Sequence, residues 1–232
     1  MARPVLASQT APAMQDFSSQ LELALNSSDS KALAALIADD LQPVLESRYQ
    51  RFTKDFPKVS WQVEPSEPLA DGRPTLLIRV SGTTRSEGLN YQLRAKERIA
   101  VRLQSGRLVA QELVAQDSLL RSGERPLPVT LEIPDAVLTG SRYDVDLIVN
   151  EPLGQALLAG GLMELNEDQV AAQRRPNIAL EPLGGGGLFK SVQAPQRPGS
   201  QTWALILVHP EGLVTATKRV RVVTTMPARS GI

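Results

Sequence analysis

Two long segments between residues 89 and 118 alternate apolar and polar positions, and they meet at Ser105-Gly106. In the first segment the odd positions are mostly apolar and the even ones mostly polar or basic, which is typical of a β-strand with one buried face. A two-residue loop at Ser105-Gly106 predicts a hairpin that places Leu103 opposite Leu108. The first half of the chain is therefore expected to contain an antiparallel sheet.

Three short helices are predicted before these strands, because apolar residues recur there at intervals of three or four. They lie over residues 17–25, 31–38 and 43–57. Alternation then predicts two strands, one through Trp61 and one over 75–82. Helices followed by antiparallel strands indicate an α+β domain, in which three helices pack on one face of a curved antiparallel sheet.

The second half consists of short strand-like runs separated by turns rich in proline and glycine, which is typical of an all-β domain. Within it, residues 166–173 are predicted to form one short helix with Asn166 as its cap. The polar stretch 121–126 contains glycine and proline and is predicted to be a linker. The predicted domains are thus 14–122 and 123–232, after a tail, 1–13, that is either disordered or the remnant of a signal peptide.

Two stretches of the first half resemble a known superfamily. They are Ala24-Leu25-Asn26-Ser27-Ser28-Asp29 leading into residues 32–40, and the hairpin sequence over 103–109. On these stretches, residues 14–120 resemble the nuclear transport factor two / ketosteroid isomerase-like (SnoaL-like) superfamily. The resemblance implies a cone, in which the curved sheet wraps the helices and leaves a pocket that serves catalysis in some members and binding or dimerisation in others. A fold of this kind does not by itself imply an activity.

The second half resembles an immunoglobulin-like β-sandwich, on the alternation of residues 143–149 and on Trp203 as a core aromatic. It lacks the cysteine pair of antibody domains. The whole chain also resembles a two-domain type of protein associated with cyanobacteria, and this resemblance implies no activity. The expected fold is therefore an α+β cone followed by an all-β sandwich.

Glu97 and Glu112 are carboxylates on the otherwise apolar face of the hairpin, where the predicted register makes them diagonal neighbours. If they are buried together they repel each other, so at least one keeps a proton near neutral pH and can act as a general acid or base. Two alternatives remain open: a bulge that turns Glu97 outward, or an arginine such as Arg79 that neutralises the pair.

The candidate pocket of the first domain is expected to be lined by Tyr49, Trp61 and Tyr91. Isomerase-type members of the superfamily use a tyrosine and two carboxylic acids. Tyr49, Tyr91, Glu97 and Glu112 do not align with that set, which weighs against the same chemistry.

Basic side chains occupy the even face of the first hairpin strand, at Arg94, Lys96, Arg98 and Arg102. They are candidates for binding an acidic partner, although such a stripe is also what the solvated face of an antiparallel sheet presents. Pairing of two copies through this face would bring like charges together, so a monomer or a weak dimer is expected.

Composition excludes several classes of function. The 25 basic and 25 acidic residues cancel, and aromatic residues make up only 4%, so nucleic-acid binding is not expected. The chain has no cysteine and one histidine, His209, which is predicted to lie in a hairpin turn; no metal or cofactor is expected. No run approaches the roughly 18 apolar residues of a membrane helix. The compartment stays open between export to the periplasm or thylakoid lumen, with the leader missing, and the cytoplasm.

By elimination, the sequence favours a non-enzymatic binding or assembly protein that acts through protein contacts or through a pocket for a small apolar ligand. The alternative is an isomerase, dehydratase or hydrolase type of enzyme that uses Glu97 and Glu112 as acid and base.

Overall fold

The computed structural model describes residues 11–27, 29–123, 127–151, 156–172, 176–210 and 212–226. The chain begins with the helices α1 (Ala11–Ser27), α2 (Ser30–Ala35) and α3 (Gln42–Asp55). Four strands follow: β1 (Lys58–Ser66), β2 (Thr75–Ser86), β3 (Leu89–Gln104) and β4 (Arg107–Ser122). The remaining elements are β5 (Val129–Glu132), β6 (Ala136–Leu138), β7 (Arg142–Val149), β8 (Leu158–Leu165), α4 (Glu167–Ala172), β9 (Glu181–Leu183), β10 (Gly187–Gln193), β11 (Gly199–His209) and β12 (Gly212–Val223).

The predicted fold class, an α+β cone of three helices on a curved sheet followed by an all-β sandwich, is wrong. Eight strands in the order β1-β2-β3-β4-β12-β11-β8-β9 belong to one sheet, and β6 pairs with β12 as its ninth strand. Strands make up 54% of the described residues and helices 20%, so the chain is mostly β. A second sheet has three strands, in the order β10-β7-β5.

The prediction failed at β4, which was expected to end at Ser118 and to lead into a linker. In the structure β4 continues to Ser122, and β12 pairs antiparallel with its last part, placing Arg219 opposite Gln116. A strand edge carries N–H and C=O groups that need partners, and a strand distant in sequence supplies them as well as a neighbour does. Alternation along one strand does not indicate which strand will pair with it.

The described chain forms two compact units. Unit 1 comprises Met1–Val80 with Glu97–Val114, and unit 2 comprises Ser81–Lys96 with Ala115–Ile232. The strands β2, β3 and β4 contribute one part to each unit. The domain ranges expected from the sequence, 14–122 and 123–232, remain a prediction.

The core of unit 1 is built from α1, α2 and the inner faces of the strands. On α1 the buried residues Met14, Phe17 and Leu21 recur at intervals of three or four, so they lie along one side of the helix. They pack in one cluster with Leu76 and Val101 of the strands. Burial of each such side chain stabilises the fold by about 1.5–3 kcal/mol relative to leaving it in water.

The outer edge of β1 is closed by side chains of α1. Val63 donates its N–H to Glu22 Oε2 at 2.7 Å, and Trp61 donates its N–H to Asn26 Oδ1 at 3.0 Å. Pro65, the next residue of the same parity, has no N–H to donate. Polar side chains of a helix thus occupy the positions that a further strand would need.

In unit 2 both sheets contribute to one apolar core. Val145 and Leu147 of the three-stranded sheet are fully buried, as are Leu207 and Val220 of the large sheet, and all four belong to the same cluster. The predicted hairpin position of His209 is confirmed, because β11 ends at this residue and β12 begins at Gly212. No helix in the described ranges is long and apolar enough to cross a membrane.

Candidate functional site

The two glutamates of the predicted acid–base pair lie in different surroundings. Glu112 is exposed, with 61% of its side chain accessible, and its Oε2 accepts a hydrogen bond from Arg73 Nη1. Arg73 also donates its Nε to Asp71 Oδ2 at 2.8 Å. Glu97 is half-buried. The acid–base role stays a prediction, but the carboxylate of Glu112 is already engaged in an exposed ion pair.

The ion pairs around Arg73 shift the pKa of two of the groups. Hydrogen bonds to Glu112 and then to Asp71 raise the pKa of the Arg73 guanidinium. The backbone N–H of Arg73 and then its side chain lower the pKa of Asp71. Arg79, the cation expected to neutralise the glutamates, instead donates Nη1 to Glu64 at 2.5 Å.

Two of the predicted pocket residues, Tyr49 and Trp61, lie in one cluster of aromatic rings in unit 1. The ring centroid of Phe52 is 5.2 Å from that of Trp61, and the Phe52 ring also stacks on Phe56 at 5.3 Å. The centroids of Tyr49 and Trp61 are 6.2 Å apart. These four residues are called the aromatic patch below. Tyr91, the third predicted pocket residue, belongs to unit 2.

Local sequence explains why the rings converge. Residues 49, 52 and 56 are spaced by three and four, so α3 presents them on one side, and Pro57 then turns the chain into β1. The Tyr49 hydroxyl donates to Leu25 O at 2.8 Å, which ties α3 to the end of α1. The backbone of Trp61 is held by Asn26. The patch is therefore preorganised by hydrogen bonds at its base.

The aromatic patch is incompletely covered. None of the residues of α3 is buried, and all four rings are half-buried. The indole Nε1 of Trp61 is shielded from water yet has no hydrogen-bond acceptor within the part of the chain that the structure describes. A buried N–H without an acceptor costs free energy, and such cost is common where a site is built to rearrange or to receive a ligand.

Exposed charge around the patch is mainly basic. The cations on α3 and at the start of β1 are Arg48, Arg51, Lys54 and Lys58, and the anions are Glu46 and Asp55. Among these cations Arg48 lies one helical turn before Phe52, on the side of α3 that carries the rings, whereas Lys54 is two residues from both Phe52 and Phe56 and faces the other way. The cation beside the rings is therefore Arg48.

The predicted basic stripe of β3 is divided. Arg94 and Lys96 are exposed in unit 2, whereas Arg98 and Arg102 belong to unit 1. Arg98 is half-buried and donates to Glu67 O and to Thr75 Oγ1, so it fastens the segment before β2. Arg102 is exposed. Partner binding by the stripe stays a prediction.

A chain of polar side chains in unit 2 was not predicted from the sequence. Trp203 Nε1 donates to the Tyr143 hydroxyl at 2.8 Å, and this hydroxyl donates to Gln201 Oε1 at 2.8 Å. Gln201 Nε2 in turn donates to Glu164 Oε2 at 3.1 Å. The chain joins the two sheets across their core, and it leads from buried Trp203 to exposed Glu164.

Lys218 extends this polar chain along the large sheet. It lies opposite Trp203 on one side and Asp117 on the other, and Trp203 lies opposite Glu164. The Nζ of Lys218 lies 3.7 Å from Asp117 Oδ2 and donates a hydrogen bond to Asp135 Oδ1. In the sequence, Lys218 is the one charged residue among the even positions from 214 to 222, which are otherwise apolar. This pattern could have predicted a buried polar group on β12. The residues of this polar layer are Asp117, Asp135, Tyr143, Glu164, Gln201, Trp203 and Lys218.

Burial raises the pKa of the Tyr143 phenol, and the carboxylate of Glu164 adds to this effect, whereas the hydrogen bond from Trp203 acts against it. No buried side-chain nitrogen or oxygen of the polar layer lacks a hydrogen-bond partner in the part of the chain that the structure describes. The polar layer therefore fixes the alignment of the sheets, which is the role that fully satisfied buried networks serve.

Comparison with known proteins finds a similarity in the second half of the chain. Residues 124–223 match the model of a domain family of unknown function, DUF8623. The matched segment includes every residue of the polar layer except Asp117 and lies inside the predicted second domain. No curated protein matches the chain. The aromatic patch lies outside the matched segment.

Proposed function

We propose that this chain is a non-enzymatic binding protein, which holds an acidic, partly apolar segment of a partner protein on the aromatic patch. The observation that carries the proposal is the incomplete burial of four neighbouring rings, Tyr49, Phe52, Phe56 and Trp61. Tyrosine and tryptophan dominate the energetics of protein interfaces because each brings a large apolar area with little conformational entropy to lose.

Two further features support binding at this place. The hydrogen bonds from Tyr49 to Leu25 and between Trp61 and Asn26 hold the rings before any partner arrives, which lowers the entropy cost of association. Arg48 beside the rings, on a helix that carries more cations than anions, attracts an acidic partner and accelerates its encounter. The exposed ion pair of Glu112 with Arg73 lends no comparable support to an enzymatic function.

The probe for this proposal is 8-anilinonaphthalene-1-sulfonate, an anionic aromatic dye whose emission rises in apolar sites. We expect the folded protein to bind the dye, and we expect Phe52→Ser and Phe56→Ser to weaken binding about tenfold. Val44→Ser is the matched control, because Val44 is 55% exposed on the same helix. Thermal unfolding must show that each variant stays folded, since partly folded proteins also bind this dye.

A charge reversal gives a second test that leaves the rings intact. Arg48→Glu is expected to weaken dye binding and to reduce its dependence on salt, because Arg48 is exposed and lies one helical turn before Phe52 on α3. Equal dye binding by wild type, both phenylalanine variants and Arg48→Glu, or no binding by the folded wild type, overturns the proposal.

A further inference from the structure

The two sheets of unit 2 present opposite charges on their outer faces. On β7 the odd residues from Tyr143 to Val149 are buried in the core, so the even residues lie on the outer face. On β12 the even residues from Val214 to Val222 are buried, so the odd residues lie on the outer face of the large sheet. Each face can therefore be assigned from strand register alone.

The outer face of the three-stranded sheet is acidic and carries an exposed ring. Asp146 lies opposite Glu132 on one side and Phe189 on the other, which forms one row across the sheet. Asp144 lies two residues before Asp146 on β7 and shares its face. The side chain of Phe189 is exposed, at 61%. A single exposed apolar residue is common on protein surfaces, so Phe189 supports a contact here only together with the charges beside it.

The cation nearest to this row does not neutralise it. Lys190 follows Phe189, but its side chain points to the opposite side, where Nζ lies 5.8 Å from the ring centroid of Trp203. Arg142 also lies on the outer face, opposite Gln193 and two residues from Asp144, so this face carries one cation against the carboxylates of Glu132, Asp144 and Asp146. The acidic face thus keeps an excess of negative charge.

The outer face of β12 is basic. Arg219 and Arg221 lie on it, opposite Thr202 and Ser200 of β11. Both arginines are half-buried, and their Nε atoms are shielded from water with no acceptor among the described residues. A guanidinium has five donors arranged to grip a carboxylate, and neither arginine forms an ion pair with a residue that the structure describes.

The charged pairs on the two faces have the same spacing. Asp144 and Asp146 are two residues apart on β7, as Arg219 and Arg221 are on β12, so each pair is separated by about 6.6 Å along its strand. We propose that the acidic face of one copy of this chain docks on the basic face of a second copy, pairing these carboxylates with these guanidinium groups, with Phe189 at the centre of the contact. This contact is independent of the aromatic patch.

The contact uses different surfaces on its two partners, so it is heterologous and each copy keeps one free face. Such association continues head to tail until it closes into a ring or is limited by concentration. Its attraction is between opposite charges, so it is strongest at low ionic strength. Pairing through the basic stripe of β3 would have the reverse dependence on salt.

Sedimentation equilibrium at low and high salt tests the proposal with two reversed variants. One carries Arg219→Glu and Arg221→Glu, and the other carries Asp144→Lys and Asp146→Lys. The self-association constant of each variant alone is expected to fall at least about tenfold, because both of its faces then carry charge of the same sign. An equimolar mixture of the two is expected to associate again, because each supplies the charge that the other lacks.

Two further variants test the same contact if a charge-reversed variant does not fold. Phe189→Ser is expected to weaken association while leaving every charge in place, and Arg102→Glu, an exposed cation of unit 1, is expected to leave it unchanged. The proposal is overturned if wild type stays monomeric at low salt, if Phe189→Ser and Arg102→Glu associate alike, or if the mixture of reversed variants stays monomeric.

Discussion

Asn26 makes two hydrogen bonds to the backbone of Trp61, although the residues are 35 positions apart. Its Nδ2 donates to Trp61 O at 2.8 Å and its Oδ1 accepts from Trp61 N at 3.0 Å. A neighbouring strand would offer the backbone of β1 the same pair of groups, one hydrogen-bond acceptor and one donor. One side-chain amide thus closes a sheet edge that could otherwise pair with another molecule.

We expect Asn26→Ala to lower the free energy of unfolding by about 1–3 kcal/mol, because it removes both hydrogen bonds to Trp61 and the one from Nδ2 to Glu22 O at 2.9 Å. Asn26→Asp is expected to cost less, since it keeps the acceptor for Trp61 N. Urea unfolding measures both, with Gln20→Ala on the exposed side of α1 as the control. Equal stability of wild type and Asn26→Ala contradicts this role.

Lys218 is expected to be replaceable by an apolar side chain. It is 8% exposed in a run of buried apolar positions, so Lys218→Met removes a desolvated charge and should change stability by less than about 1.5 kcal/mol. Replacing both partners together, Asp117→Asn with Asp135→Asn, should cost about 1–3 kcal/mol, because the buried ammonium then lacks a counter-charge. A larger loss for Lys218→Met than for the double variant would contradict this account.

The raised pKa of Tyr143 predicts a loss of stability in alkali. In the unfolded chain a tyrosine releases its proton near pH 10, whereas the folded state holds this proton to higher pH. The stabilisation is therefore complete below about pH 10 and is lost as the pH rises above it, because the unfolded state is then favoured by ionisation.

Urea midpoints measured across this pH range test the prediction, with Tyr91→Phe as the matched control. Tyr143→Phe should be less stable than wild type at neutral pH, since it removes two hydrogen bonds, but its midpoint should fall less steeply in alkali. The same alkaline slope in wild type and Tyr143→Phe would show that this phenol is not the cause.

Gly161 is expected to tolerate no side chain. A Cβ there would lie 2.1 Å from Ala179 O and 2.8 Å from Ile178 Cγ2, so Gly161→Ala forces backbone to move and should cost about 1–3 kcal/mol. Gly185→Ala is the control, because no atom lies within 4 Å of the position of its Cβ. Thermal unfolding of both variants measures the difference, and similar midpoints would contradict the clash.

Local features of the chain could be predicted from the sequence. The turn at Ser105-Gly106 is confirmed, with φ values of 51° and 78° that match a two-residue hairpin loop. The cap of α4 is also confirmed, because Asn166 Oδ1 accepts from Gln169 N at 2.8 Å. These features depend on residues close together in sequence, where propensity and spacing are informative.

Distant pairings could not be predicted in this way. The contact of β4 with β12 joins residues about a hundred positions apart. The alternation along either strand is compatible with many partner strands, so it does not identify the one that pairs. The aromatic patch was found in part, through Tyr49 and Trp61, because aromatic residues stand out in a chain with few of them. The spacing of Phe52 and Phe56 within the third predicted helix indicates only an apolar side of that helix, so the contact of Phe52 with Trp61 could not be predicted.

The positions of the two tryptophans make the units separately observable by intrinsic emission. Trp61 is half-buried in unit 1, and Trp203 is 4% exposed in unit 2 beside Tyr143 and Lys190. Trp61→Phe leaves an indole that reports on unit 2 alone, and Trp203→Phe leaves one that reports on unit 1. The chain thus carries one natural optical reporter in each unit, and the order in which the units melt can be followed without any added label.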